Sequence, residues 1–163
     1  MVNTVITPVR QSDARLLKDF TYHAVFVPKN SPAPSRDIVE NPQLRTFWEN
    51  FGQRGDIGFK AVIEEKTVGI AWTRLAAAYG AVGKDIPVLA ISVAPEYRGR
   101  GIGTALLRAI LGALPEYGFD SVSLSVQKYN FIANTYRKLG FIEVGENDGE
   151  LIMIKNGLSA VKR

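Results

Sequence analysis

The chain has 163 residues, a length that suits one domain with a single sizeable hydrophobic core. It contains no cysteine and one histidine, so disulfides, thiolate metal sites and a cysteine nucleophile are excluded, and we predict no metal centre. The net charge is +4, but the basic residues are scattered among acidic ones, which disfavours nucleic acid as a partner.

No apolar run approaches the roughly 20 residues that span a bilayer, and the first residues lack the charged and apolar regions of a secretory signal. The sequence therefore predicts a cytoplasmic protein without a membrane partner. A homodimer is possible, because no feature of the sequence decides the oligomeric state.

The first part of the chain predicts a strand and two helices. Residues Val2–Val9 alternate as in an opening strand, and Ser12 is a suitable N-cap for a first helix with apolar residues at helical spacing. Three prolines between residues 28 and 34 end that helix. Asn41-Pro42 combines a capping residue with proline at the first helical position, which predicts a short second helix.

Strands predominate in the middle of the chain. Residues Ile57–Glu64 and Thr67–Leu75 are rich in β-formers, and their separation by Glu65-Lys66 predicts a hairpin. After a small-residue loop, Ala76–Asp85, the run Pro87–Ala94 is nearly continuous in apolar residues. Such a run is typical of a strand that is buried on both faces.

The last part of the chain alternates helices and strands. The predicted elements are a helix at Ile102–Leu114, a strand at Val122–Val126, a helix at Asn130–Leu139, and strands at Ile142–Val144 and Leu151–Ile154. Asn147-Asp148-Gly149 is a strong signal for a hairpin turn between the last two strands. The order of elements predicts one mixed α/β domain over residues 1–163.

A glycine-dense turn joins the buried strand to the amphipathic helix. Main-chain N–H groups at a helix N-terminus hold anions, and Gly99, Gly101 and Gly103 let a phosphate approach the main chain. Arg98 and Arg100 add electrostatic attraction. The alternative is a glycine-rich turn that serves packing alone.

The pattern of this turn discriminates among phosphate ligands. A dinucleotide fingerprint would require glycine or alanine where Thr104 stands, and the Walker loop is absent. What remains is R-x-x-G-x-G, which runs from Arg98 to Gly103.

In this strand, turn and helix, and in the block that follows them, the chain resembles the GNAT superfamily of CoA-dependent acetyltransferases. The family's signature strand, turn and helix look like Ala90–Leu107. Its next block resembles Leu124-Ser125-Val126 followed by Asn130, Ala133, Tyr136, Gly140 and Phe141, with the tyrosine three residues after the alanine. The similarity covers about Ile57 to Met153, and two blocks in the right order are more specific than either alone.

The resemblance implies a mixed sheet of about six to seven strands with helices on both faces. It also implies transfer of an acetyl group from acetyl-CoA, as cosubstrate, to a primary amine of a small molecule or peptide by direct attack. The pantetheine arm would lie beside Ile91, Ser92 and Val93, and Asn130 would contact the pantetheine or acetyl region. The diphosphate would be held by Arg98, Gly99, Arg100, Gly101, Ile102, Gly103 and Thr104.

Tyr136 is the candidate general acid. A hydroxyl with a pKa near 10 can protonate a departing thiolate whose thiol has a pKa of about 8.5. The alternative is a helix tyrosine that packs on the core. The thioester oxygen would be polarised by a main-chain N–H of the Ile91–Val93 run.

The general base is where the chain departs from many relatives. Several family members carry a glutamate near the start of the signature strand, whereas this chain has Pro87 and Val88 there. Asp85 is expected in a loop, and Glu64 and Glu65 at a solvated turn. We therefore assign no base from the sequence. The missing glutamate favours an alternative function, a non-catalytic acyl-CoA sensor of the same fold.

The acceptor site carries no recognisable motif. His23 has an ordinary pKa suited to a base but is equally a packed or solvated helical residue. Lys128 is either a phosphate contact or a solvated lysine. Four aromatic residues could line an acceptor pocket or belong to the core: Tyr22, Phe26, Trp48 and Trp72.

Overall fold

The computed structural model describes residues 3–75 and 79–161, in which seven strands form one sheet in the order β1-β2-β3-β4-β5-β7-β6. The strands are β1 (Val5–Pro8), β2 (Ile57–Ile63), β3 (Lys66–Arg74), β4 (Val88–Val93), β5 (Val122–Gln127), β6 (Ile142–Asn147) and β7 (Glu150–Lys155). The α-helices are α1 (Leu16–Ala24), α2 (Pro42–Arg45), α3 (Ile102–Ala113) and α4 (Ile132–Lys138).

Apolar residues on the two faces of the sheet form separate cores. Leu106 and Ile110 of α3 are buried with Tyr136 of α4 on one face. Phe20 of α1 packs with Trp72 on the other face. The predicted α/β class, the strand number and the helices on both faces are confirmed. Within the described residues, no helix is long and apolar enough to cross a membrane.

Both predicted hairpins are present, each with a two-residue turn in the left-handed region. Asp148 and Gly149 have φ values of 50° and 81°, as Asp-Gly favours between antiparallel strands. The β2–β3 turn lies at Glu64 and Glu65, whose φ values are 49° and 69°, one residue earlier than predicted. Sequence alone misplaced it because neither glutamate is a typical left-handed residue.

The predicted start of the first helix is wrong. Residues 11–13 form a separate 3₁₀ turn, α1 begins at Leu16, and Ser12 does not cap it. The carboxylate of Asp13 instead accepts hydrogen bonds of 2.8 Å from the main-chain N–H of Arg10 and from Lys60 Nζ on β2. This tertiary ion pair fixes the turn. The predicted first strand begins outside the described residues and is seen from Val5, and part of the Ala76–Asp85 loop also lies outside them.

A buried arginine ties the helical segment around α2 to the sheet. Arg74, on β3, makes a bidentate pair with Asp56 at 3.0 and 2.9 Å, and both side chains are at most 3% exposed. The same guanidinium donates to the carbonyls of Thr46 and Asn50 at 3.1 Å and also to that of Glu49. Asp56 in turn accepts from main-chain N–H groups of the preceding loop.

Replacing Asp56 by alanine should leave the Arg74 charge buried without its partner. We expect Asp56→Ala to lower the free energy of unfolding by about 3–5 kcal/mol, measured by urea denaturation. Glu143→Ala, which removes the partner of the exposed Arg137, should cost less than about 1 kcal/mol. Equal costs for the two variants would show that the buried cluster has no special role.

Candidate functional site

A gap opens between β4 and β5, the one parallel pair in the described sheet. The two strands are paired only at Val88 and Ser123, where Ser123 N donates to the carbonyl of Pro87 at 3.0 Å. On its other edge, β4 pairs with β3 along its whole length. The strands β4 and β5 therefore separate towards their carboxyl ends, and one edge of β4 is left without a partner strand.

Main-chain groups alternate between the two edges of a strand, so the register shows which ones face the gap. Ala94 N donates to the carbonyl of Val68 at 2.8 Å, which places the main chains of Ala94 and Ser92 towards β3. Ile91 and Val93 therefore face the gap. The Val93 carbonyl accepts from Arg98 Nε at 2.8 Å, which leaves the N–H and C=O of Ile91 and the N–H of Val93 for a ligand.

Ser92 has a different place from the one predicted. Its main chain faces β3, and its hydroxyl donates to the carbonyl of Phe20 in α1 at 2.6 Å. The residue is buried and joins α1 to β4. Its role is to hold the helix against the sheet, and the gap-facing contacts belong to its two neighbours.

The glycine turn has the geometry of an anion site. Gly99 and Gly101 have φ values of 77° and 81°, and Gly101 caps α3 without any side-chain hydrogen bond. The main-chain N–H groups of residues 99 to 104 have no hydrogen-bond partner among the described residues. Unpaired donors at the positive end of a helix dipole are suited to binding phosphate.

The two arginines of the turn differ in what they contact. The Arg98 guanidinium joins the end of β4 to the end of α1, because it donates to the carbonyls of Val93 and His23 at 2.8 and 3.0 Å. Its own N–H donates to Pro95 at 3.3 Å, so Arg98 contributes charge and shape but not a main-chain donor. Arg100 is exposed, makes a 3.3 Å contact with the carbonyl of Glu96, and lies 5.2 Å over the Tyr97 ring. Arg100 is thus the side chain better placed to reach a phosphate.

The turn and the gap are contiguous. A Cβ atom built on Gly103 would lie 4.0 Å from Ile91 Cδ1 and from Val93 Cγ2. A ligand with its diphosphate on the turn can therefore continue directly along the free edge of β4.

Asn130 lies in the turn between β5 and α4, and Tyr136 lies on α4, which packs against β5. Asn130 Oδ1 accepts from Ile132 N at 3.2 Å at the start of α4, which leaves its amide NH₂ as a donor. Tyr136 is 5% exposed, and burial raises the pKa of its hydroxyl. That hydroxyl has no hydrogen-bond partner among the described residues, and no polar side-chain atom there is buried without one. The hydroxyl therefore makes no hydrogen bond with a described residue that would compete with a ligand.

Three other residues considered for the site make contacts away from the gap. Trp72 is fully buried, with its indole N–H bonded to the Phe47 carbonyl at 2.7 Å, so it belongs to the core. Lys128 pairs with Glu146 at 3.2 Å. Asp85 is exposed and lies 3.6 Å from Arg54.

The α1 side of the sheet offers a candidate acceptor region. Tyr22 lines an open cleft of about 280 Å³ between α1 and the 3₁₀ turn Arg36–Glu40, and its hydroxyl donates to the Pro34 carbonyl at 2.6 Å. Burial, together with the charges of Arg36 and Arg98, lowers the pKa of His23. Both effects favour the neutral form of the imidazole.

Glu150, the first residue of β7, was not singled out by the sequence analysis. It lies opposite Gln127 of β5, and burial raises the pKa of its carboxyl against a hydrogen bond from the Ser125 side chain. Its position follows only from the sheet order, which puts the last strand of the chain beside β5. The Asp148-Gly149 turn signal places the residue at a strand end but does not indicate which strand it neighbours.

Residues 24–141 match the model of the acetyltransferase (GNAT) family. The chain belongs to this family. An N-alpha-acetyltransferase of Sulfurisphaera tokodaii is 35% identical over 116 residues, which cover 66% of this chain and 69% of the relative. A mycothiol acetyltransferase of Thermobispora bispora is 43% identical over 76 residues, which cover 45% of this chain but only 26% of that longer protein.

The fold of this GNAT protein is also that of solved acetyltransferases. The PaiA N-acetyltransferase of Thermoplasma acidophilum, crystallised in complex with coenzyme A, superposes with a TM-score of 0.66 at 15% identity. The alignment covers 94% of this chain and 99% of that one.

The left-handed glycines allow a direct test of the anion site. Gly101→Ala should cost about 1–2 kcal/mol of stability, because alanine is strained in the left-handed region. It should also weaken coenzyme A binding by roughly tenfold or more, because the strained cap displaces an N–H group that would donate to the phosphate. Gly118, with φ 91° and open space around it, follows α3 at its far end. Gly118→Ala should have the same cost in stability without a change in affinity. Isothermal titration calorimetry with coenzyme A measures the affinity of each variant, and equal affinities for the two variants would contradict the assignment.

Proposed function

We propose that this GNAT protein transfers the acetyl group of acetyl-CoA to a primary amine by direct attack. One observation carries the proposal: the unpaired N–H groups of residues 99 to 104 are contiguous with the free edge of β4. A phosphate site alone would fit many ligands. A phosphate site that opens into the gap between β4 and β5 fits a diphosphate with a long, amide-bearing tether.

The geometry supports a set of residues that would hold acetyl-CoA. The N–H groups of residues 99 to 104 would bind the diphosphate with help from Arg100. Ile91 and Val93 would pair with the amides of the pantetheine arm as an added strand would. Asn130 would donate its free amide hydrogens to the arm or the acetyl group.

The chain also supplies groups for the chemistry. The N–H of Ile91 can polarise the thioester oxygen, since it faces the gap without a partner strand. Tyr136 can protonate the departing thiolate through its hydroxyl, which has no hydrogen-bond partner among the described residues. The raised pKa of Tyr136 means that the hydroxyl still carries its proton when the C–S bond breaks. The same increase makes the tyrosine a weaker acid.

For the acceptor we favour the α-amine of a peptide or protein. The support is the N-alpha-acetyltransferase relative, which this chain matches over about two thirds of both lengths. An α-amine, with a pKa of about 7.7–8.0, is also easier to deprotonate at neutral pH than a lysine amine near 10.4. The mycothiol acetyltransferase relative supports a small-molecule amine as the second candidate.

Release of free coenzyme A thiol from acetyl-CoA should be measured with a panel of peptides bearing free N-termini, small amines and polyamines. Turnover with at least one amine class is expected, and N-terminal peptides should be preferred. Binding of acetyl-CoA without turnover on any amine would favour the acyl-CoA sensor, the alternative raised by Pro87 and Val88 in place of a glutamate.

Tyr136→Phe removes the proposed acid while keeping the ring that packs on Phe141. We expect kcat to fall by on the order of a hundredfold, with the acetyl-CoA dissociation constant nearly unchanged. Tyr117→Phe changes an exposed tyrosine beyond α3 and serves as the control. An unaltered kcat in Tyr136→Phe would remove this residue from the mechanism.

A further inference from the structure

We propose that the Glu150 carboxylate is the general base that takes the proton from the acceptor amine. The inference rests on the proposed acetyl transfer and supplies the group that the start of β4 lacks.

The alternation along β5 defines the side on which Glu150 lies. Leu124 and Val126 belong to the core beneath α3 and α4, so Ser125 and Gln127 face the opposite side, towards α1. Gln127 is the cross-strand partner of Glu150, and such partners project from the same side of a sheet. The Ser125 side chain lies close enough to Glu150 to lower the pKa of its carboxyl, which agrees with this placement.

The level of Glu150 along the strands also fits. Val88 pairs with Ser123 in the parallel pair, so counting along both strands puts Ile91 level with Val126. By the same count Gln127 is one position beyond Val126, and Glu150 is the cross-strand partner of Gln127 on β7. Glu150 therefore lies within one residue of the level of Ile91 along the strands, and we assign the Ile91 N–H to the thioester oxygen. An amine that enters from the α1 side would meet both groups.

The surroundings of Glu150 favour proton acceptance. The side chain is half-buried, and burial raises the pKa of its carboxyl, with a further increase from the charge of Asp148. The Ser125 hydrogen bond offsets this only in part. Among the described residues Glu150 has no salt-bridge partner, since the neighbouring Lys128 is paired with Glu146. A carboxylate held by one hydroxyl is a better base than one fixed by a cation.

The other titratable candidates do not meet these conditions. Glu64 and Glu65 form the β2–β3 turn and are exposed. Asp85 is an exposed partner of Arg54. His23 lies at the end of α1 beside Arg98, where burial and the neighbouring cations lower its pKa and weaken it as a base.

Glu150, Tyr136 and solvent together account for every proton that the acceptor ammonium group loses. Glu150 takes one proton from the ammonium form of the acceptor, and the freed nitrogen lone pair forms a C–N bond with the acetyl carbon as the C–S bond breaks. Tyr136 gives its proton to the thiolate and is reprotonated by the second proton that the nitrogen loses. The third proton stays on the amide, and Glu150 releases its proton to solvent.

The test compares Glu150→Gln with the wild type, using acetyl-CoA and a short peptide with a free N-terminus. At neutral pH we expect kcat/KM to fall by on the order of a hundredfold while the acetyl-CoA dissociation constant is unchanged. The defect should shrink as pH rises towards the pKa of the amine, because a neutral amine needs no base. Glu150→Asp should lie between the two. Glu143→Gln, in the same hairpin and paired with Arg137, is the control with unchanged rates.

A second readout does not depend on turnover. The pKa of the Glu150 carboxyl, measured by NMR titration of the free protein, should lie above the ordinary glutamate value. A pKa at or below that value, an unchanged rate in Glu150→Gln, or an equal loss at every pH would overturn the inference while the acetyltransferase function stands. A wild-type protein that binds acetyl-CoA but acetylates no amine would instead overturn the proposed function itself.

Discussion

The N–H groups at the start of α3 are the feature on which the candidate site depends. A run of unpaired main-chain donors is unfavourable unless water or a ligand satisfies it, and the turn keeps these donors at the surface where both can reach. The left-handed conformations of Gly99 and Gly101 make this arrangement accessible without the strain that a side chain would add. The buried stripe of α3, which includes Leu106 and Ile110, then fixes the direction of the donors relative to the sheet.

The second requirement is an unpaired edge inside the sheet. Strands β4 and β5 part after a single paired position, whereas the other edges of both strands are fully paired with β3 and β7. Side-chain contacts hold the carboxyl end of β4 in place. Ser92 joins it to α1, and Arg98 joins its last carbonyl to the end of the same helix. The free edge is therefore a rigid part of the fold and can bind a tether without much loss of entropy.

The parts of the structure that local rules govern could be predicted from the sequence. The glycine turn, the Asp148-Gly149 hairpin and the buried β4 run depend on residues within a few positions of one another, and each is found where it was expected. Tyr136 was chosen through the family resemblance, and the structure adds that its hydroxyl has no hydrogen-bond partner among the described residues. Its role in catalysis stays a prediction.

What the sequence could not supply depends on contacts between distant segments. Ser92 resembled a ligand contact, but its hydroxyl bonds to a helix 72 positions earlier. Ser12 resembled a cap, but the pair between Asp13 and Lys60 decides that turn. Glu150 carries no motif and gains its position only because β7 lies between β5 and β6. Each case is set by sheet order or by a long-range ion pair, which periodicity does not reveal.

The most direct test of the account is an NMR titration of the ¹⁵N-labelled protein with coenzyme A. The account predicts saturable shifts concentrated in the amides of residues 99 to 104 and of Ile91 and Val93, with little change along β1 and β2. Shifts spread over other surfaces, or no saturable shift at all, would contradict it.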